Sequence, residues 1–209
     1  MSGRDPVIRA IPALALVCAL SACSGPLFSS KTPAPAIYLL SAHPGTPGPA
    51  IAADLTVLKP QVRSGLDTDR IAVLYPDRRL DYYAGARWSG PLDDVVQDLA
   101  LQSFRAHANL RSVSSDASLF TAGYWLESEV TDFQAQYAAG ETRPTIHVRI
   151  SARMGKANDR RVLSRFEASA TQEAADNRLT AIVAAYELAA DAALAEVVAD
   201  TVRALDAKP

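Results

Sequence analysis

The sequence predicts an α+β domain, a mostly antiparallel sheet with two helices packed on one face. Three stretches carry that reading. Residues 64–104 hold two strand-like segments joined by a turn and then an amphipathic helix opened by Pro91. Residues 145–154 alternate apolar and polar side chains without a break, and residues 179–205 keep a helical period almost to the end of the chain. The order strands, helix, strands, helix suits an antiparallel sheet, because hairpins join neighbouring strands and each helix must hide its apolar stripe.

Taken from the start, residues 1–22 read as a lipoprotein signal peptide. Arg4 and Arg9 precede an apolar run over 11–20, and Leu20-Ser21-Ala22-Cys23 follows as a lipobox. The run is shorter than the roughly 20 residues a bilayer span needs. An ordinary secretory signal with a coincidental cysteine, or a short anchor, is the alternative. On the lipobox reading Cys23 becomes the acylated first residue, and each methylene it buries in the membrane contributes about 0.8 kcal/mol. Cys18 leaves with the signal, so the mature chain keeps no thiol for a disulfide, a metal or a nucleophile. Ser24, where an aspartate would favour inner-membrane retention, points to the outer membrane. Residues 23–36, with Pro26, Pro33 and Pro35 among small residues, form an expected lipidated tether.

The domain is expected over 37–209. Residues 37–40 make a first strand, the proline- and glycine-rich run 44–49 interrupts it, and Leu55 and Val57 restart a strand before Pro60. Ile71, Val73 and Tyr75 alternate, the turn 76–79 follows, and Leu80 and Tyr82 share one parity, which makes a hairpin. Pro91 suits the first helical position, with Ser89 or Gly90 as cap, and Leu92, Val95, Val96 and Leu99 build one apolar helix face. Residues 110–113 suggest a short strand and 116–123 a connection. The aromatic and β-branched run from Tyr124 to Phe133 favours a strand, though its alternation is imperfect. Ile146, Val148, Ile150, Ala152 and Met154 share a buried face; a turn over 155–159 returns the chain through Val162, Phe166 and Ala168. Asp176 or Asn177 can cap the last helix, whose alanines favour helicity and close packing.

Composition leaves room for a core, with 49% hydrophobic and 21% charged residues, and a formal charge of -2 gives no nucleic-acid signature. His43, His107 and His147 lack metal-ligand spacing, and there is no nucleophile elbow or phosphate loop. Asp93 and Asp94 fit a helix N-terminus, where negative charge is stabilising, and neither they, Asp98, Glu127 nor Glu129 form a site by spacing alone. No catalytic residue, cofactor or metal is therefore expected. Tyr82, Tyr83, Arg87 and Trp88 are the candidate partner-binding residues, since rings and guanidinium groups favour interfaces. The competing reading puts Tyr82 and Trp88 in the core with Arg87 covering them. The basic run Arg149, Arg153, Lys156, Arg160 and Arg161 fits a solvated sheet face better than contact with acidic partners or lipid headgroups.

The lipobox, Tyr38-Leu39, Leu66-Asp67-Thr68-Asp69-Arg70-Ile71, Leu80-Asp81-Tyr82-Tyr83 with Arg87-Trp88, and the long final helix occur in an order that resembles the ABC-type transport auxiliary lipoprotein family. The resemblance covers most of the mature chain. It implies a non-catalytic periplasmic domain, tethered to the outer membrane, that docks an MCE-domain protein and through it an ABC permease and ATPase. The implied cargo is phospholipid or another membrane lipid. An assembly factor or activator of another envelope complex is the alternative function, and an envelope hydrolase a third.

Overall fold

The computed structural model describes residues 33–158 and 161–207. The expected signal peptide at 1–22, the acylated Cys23, the tether through residue 32, and Asp159 and Arg160 lie outside the described residues. In chain order the strands are β1 (Ala36–Tyr38), β2 (Ala50–Val57), β3 (Gln61–Val62), β4 (Arg70–Leu74), β5 (Leu80–Trp88), β6 (Asn109–Ser115), β7 (Tyr124–Gln136), β8 (Thr145–Lys156) and β9 (Val162–Glu173). Helix α1 (Leu92–His107) follows β5, and helix α2 (Leu179–Asp206) closes the body. The class is α+β, as expected.

Strand β7 organises the sheet. One of its edges pairs antiparallel with β8 from end to end, and β8 pairs in turn with β9. The other edge is shared by three strands in succession. Leu55–Val57 of β2 lie against Tyr124–Leu126, Gln61–Val62 of β3 against Glu129 and Val130, and Val73 and Leu74 of β4 against Ala135 and Gln136, all parallel.

The sheet is therefore mixed. The longest ladders are antiparallel, but five of the eight pairings among the described residues are parallel, which corrects the expectation of a mostly antiparallel sheet. The cause lies in two interruptions. Pro60 has no amide hydrogen to donate, so β2 and β3 act as one strand broken by a bulge. The chain then leaves the sheet over 63–69 and rejoins β7 as β4. Helix α1 supplies the long connection that parallel return requires, bringing β6 alongside β2. The β6–β7 connection crosses β2, pinned where Asp116 accepts from the Gln97 amide (2.8 Å) and the Lys59 backbone (3.3 Å).

The imperfect alternation of β7 has a definite origin. Val130 pairs with Ile150 and Asp132 with Arg149, so Thr131 is an extra, bulged residue that flips the parity of everything after it. Leu126 and Val130 before it, and Phe133 and Ala135 after it, all reach the core. Both helices cover that face: α1 packs on β2, β3 and β6, α2 packs on β2, β8 and β9, and the helices touch each other. On the opposite face Arg153 pairs with Glu127 (2.7 Å), and Arg149 with Asp132 (3.1 Å) and Glu167 (3.0 Å).

The expected caps moved. Pro91, with ψ 148°, is the residue before the first helical turn rather than in it, and its carbonyl accepts from Val95. The orphan amide of Leu92 donates to the Thr68 carbonyl (3.2 Å). Arg178 precedes α2 because both expected capping side chains are engaged elsewhere: Asp176 pairs with Arg178 (2.6 Å) and Asn177 accepts from the Tyr137 hydroxyl (2.5 Å).

Tyr186 of α2 ties these parts together. Its ring is fully buried and packs edge-on against Trp88, at 5.1 Å between centroids, and beside Phe133 at 5.4 Å. Its hydroxyl accepts from the Ala135 amide and donates to the Ala72 carbonyl, both at 2.6 Å. Burial holds this phenol well above its ordinary pKa range, so it keeps the proton it donates. The bridge occupies the gap on the β7 edge between β3 and β4, where backbone groups would otherwise lack partners. Tyr186→Phe leaves the ring and removes the bridge. Two buried backbone groups left unsatisfied should cost about 2–4 kcal/mol in urea unfolding with the denaturant slope unchanged; a loss below about 0.5 kcal/mol would show that the gap closes without it.

Candidate docking surface

The segment 66–71 and the strand β5 meet in space. The Asp69 carbonyl accepts from the Trp88 amide (2.7 Å), and the Arg87 guanidinium donates to the Asp69 carboxylate (2.7 Å). The Arg70 guanidinium lies 3.9 Å over the Tyr82 ring, and the Tyr82 hydroxyl donates to the Gly65 carbonyl (2.8 Å). Register explains the placement. Tyr82 sits opposite Ala72 and Leu80 opposite Leu74, on the sheet face away from the helices, under the 63–69 loop.

The next residues take a different course. Between the pairs Arg70–Arg87 and Ala72–Tyr82, β4 spends one residue and β5 spends four, with Gly85 at φ 68° carrying the turn that a side chain would strain. Tyr83 emerges on the helix side, its hydroxyl 3.4 Å from that of Tyr137, and burial followed by the Tyr137 contact raises its pKa above the ordinary range. Tyr75 stacks on Tyr137 at 5.8 Å between centroids, with Arg79 4.7 Å over the Tyr75 ring.

The four candidate residues thus do not form one patch. Trp88 is 2% exposed and belongs to the core, as the covering reading had it, so it offers no surface to a partner. Tyr82 and Arg87 share a half-exposed face with Asp69 and Arg70, and Tyr83 joins a tyrosine cluster around the hairpin edge. Sequence reasoning missed Tyr75, Tyr137 and Asn177. Tyr75 and Tyr137 are brought together only by the parallel pairing of β4 with β7, for which no local pattern exists.

The other candidates fall into structural roles. Lys59 bridges Asp93 (2.9 Å) and Asp94 (2.8 Å) at the start of α1, and hydrogen bonds to Asp94 and then Asp93 hold its ammonium above the ordinary range. His43 lies 3.4 Å from Asp191, and Glu127 is taken by Arg153. Among the described residues no group of histidine, cysteine or acidic side chains could hold a metal ion. None of the described helices is long and apolar enough to cross a membrane.

Among solved structures the chain is similar to protein XCC0632 from Xanthomonas campestris, described with DUF330, at 26% identity and TM-score 0.72 over 81% of this chain and 96% of that one. The same fold recurs in an uncharacterized protein (12% identity, TM-score 0.59, 82% and 98% covered) and in the hypothetical protein CT253 from Chlamydia trachomatis (12%, 0.51, 75% and 100%). No protein with a curated description matches. Residues 38–199 match the family described as ABC-type transport auxiliary lipoprotein component. That span runs from the end of β1 far into α2, and the chain belongs to the ABC-type transport auxiliary lipoprotein family.

Proposed function

We propose that this chain is the non-catalytic outer-membrane lipoprotein of an MCE-type lipid transport system. It docks the periplasmic MCE-domain protein at the outer membrane and, through it, connects to an inner-membrane permease and ATPase. The observation that carries the reading is the family itself, an auxiliary lipoprotein component of ABC-type transport. The lipobox at 20–23 and Ser24 support an outer-membrane anchor on Cys23, bearing acyl chains such as palmitate.

The physical task suits the design. A conduit crossing the periplasm needs a fixed point on the far membrane that tolerates changes in distance. The expected tether, residues 23–36 with Pro26, Pro33 and Pro35, has a reach of roughly 50 Å at about 3.3–3.6 Å per residue. Holding the domain within that reach of the membrane raises its local concentration for the partner, so each single interface can be weak. Arg87 and Tyr82, which share one face, are the docking residues in this reading, and Tyr83, on the other side of the strand, is not among them.

Two outcomes are expected. Cys23→Ser should move the protein from the membrane fraction to the soluble fraction on ultracentrifugation and abolish incorporation of labelled palmitate; retention in membranes would remove the anchor. Purified, unacylated protein should still bind an MCE-domain protein from the same cell. Arg87→Ala should weaken that binding about 5–30-fold, the range for an arginine anchor. Because an exposed ion pair contributes at most about 1 kcal/mol, the thermal midpoint should fall by no more than about 4 °C. Undiminished binding by the variant would move the interface elsewhere, and no binding by the unaltered protein would reject the docking role.

A further inference from the structure

A depression of about 230 Å³ opens on the sheet face away from the helices, between the loop after β3 and the β4–β5 turn. Its walls bring Arg63, Ser64 and Leu66 from the loop, Arg78 from the turn, Leu74 with Leu80 from the hairpin, and Gln136, Gln134 and the carboxylate of Asp132 from β7. The cationic side of this set is poorly matched within the protein. Arg63 stands 3.8 Å from Asp132, at the outer limit of an ion pair. That carboxylate already accepts from Arg149 and from the Gln134 amide, both at 3.1 Å. Among the described residues the Arg78 guanidinium, the Ser64 hydroxyl and the Gln136 amide have no hydrogen-bond or ion-pair partner.

Arg78 also holds a backbone φ of 68°, the left-handed region where glycine is at ease and a branched or long side chain is not. Its turn is closed by two backbone bonds, Tyr75 amide to Arg79 carbonyl (3.0 Å) and Arg78 amide to Tyr75 carbonyl (2.9 Å), and by the Arg79 amide donating to the Asp77 carboxylate (3.1 Å), none of which uses the Arg78 side chain. Nothing in that geometry calls for a guanidinium. Beside the two arginines, Leu80 is among the few large apolar side chains left exposed, paired across the hairpin with Leu74. Guanidinium groups match phosphate oxygens in bidentate geometry, neutral hydroxyl and amide donors complete such a shell, and an apolar ledge takes a short carbon substituent.

We propose that this depression binds the phosphate of a phosphate ester carrying a short apolar group, as at the head of a phospholipid. The volume admits the headgroup phosphate and the glycerol region and leaves the acyl chains outside. Naming lipid as the source rests on the transport reading above; the phosphate-ester site itself does not.

The test titrates the full acylated chain, in a non-ionic detergent, with dibutanoyl phosphatidic acid and, separately, with inorganic phosphate. Side-chain amide and guanidinium resonances of the isotope-labelled protein are followed by NMR. The expected result is saturable shifts at Arg63, Arg78 and Gln136, with the ester binding at least fivefold more tightly than phosphate. Arg78→Gly, which relieves the backbone, and Arg63→Gln should each weaken the ester at least fivefold. Arg79→Ala removes the same charge from the same turn but faces Tyr75, and should change affinity less than twofold. Leu80→Ser should lower affinity for the ester and leave phosphate unchanged. Equal affinity for ester and phosphate would make free phosphate the ligand and overturn the ester assignment. Absence of saturation, or an equal loss in the Arg79 variant, would overturn the site. A protein that binds the ester but no MCE-domain protein keeps the site and loses the docking role, and the converse loses only the site.

Discussion

A single phenol hydroxyl holds the sheet together where it is weakest. Parallel pairing along β7 passes from β2 to β3 to β4, and each handover leaves backbone groups that a continuous strand would have satisfied. Leu58 donates to Leu126 (2.9 Å) where β2 ends, and Arg63 to Val130 (3.0 Å) where β3 ends. Where β4 begins, the Tyr186 hydroxyl bridges Ala72 and Ala135. An element near the C-terminus thereby decides whether the β4–β5 hairpin stays in register with the strand that carries it.

The hairpin in turn carries the surface of interest. With Trp88 wedged between Phe133 and Tyr186, the far end of β5 is fixed in the core, and Arg87 must point outward to Asp69. The same anchoring sends the 63–69 loop across the outer face, where it covers Tyr82 and forms one wall of the cavity bearing Arg63. Core packing, loop path and exposed cations are consequences of one arrangement. In the proposed docking role the core already holds the backbone of Arg87 and Tyr82, so these residues would lose little freedom on binding.

Much of this was legible in the sequence where periodicity was strong. The alternation from Ile146 to Met154 identified β8 and its buried face, and the three-and-four spacing from Leu92 and from Leu179 placed both helices, because each element meets the core along a single face. Local patterns say nothing of partners, however. Parallel pairing of 55–74 with β7 joins residues more than sixty positions apart, and hairpin logic pointed elsewhere. Strand β3 has only two residues, below the length at which any period is visible. The Thr131 bulge showed itself only as broken alternation. At the surface, composition drew attention to Tyr82, Tyr83, Arg87 and Trp88, but a tryptophan suits a core as well as an interface, and only the register separates the two faces of β5.

The most direct test of the docking account is affinity capture of the acylated, tagged protein from solubilised membranes, with mass spectrometry of the recovered proteins and lipids. The account predicts an MCE-domain protein together with its permease and ATPase, and membrane lipid in the same fraction. Recovery of a different envelope complex without those three proteins would contradict it.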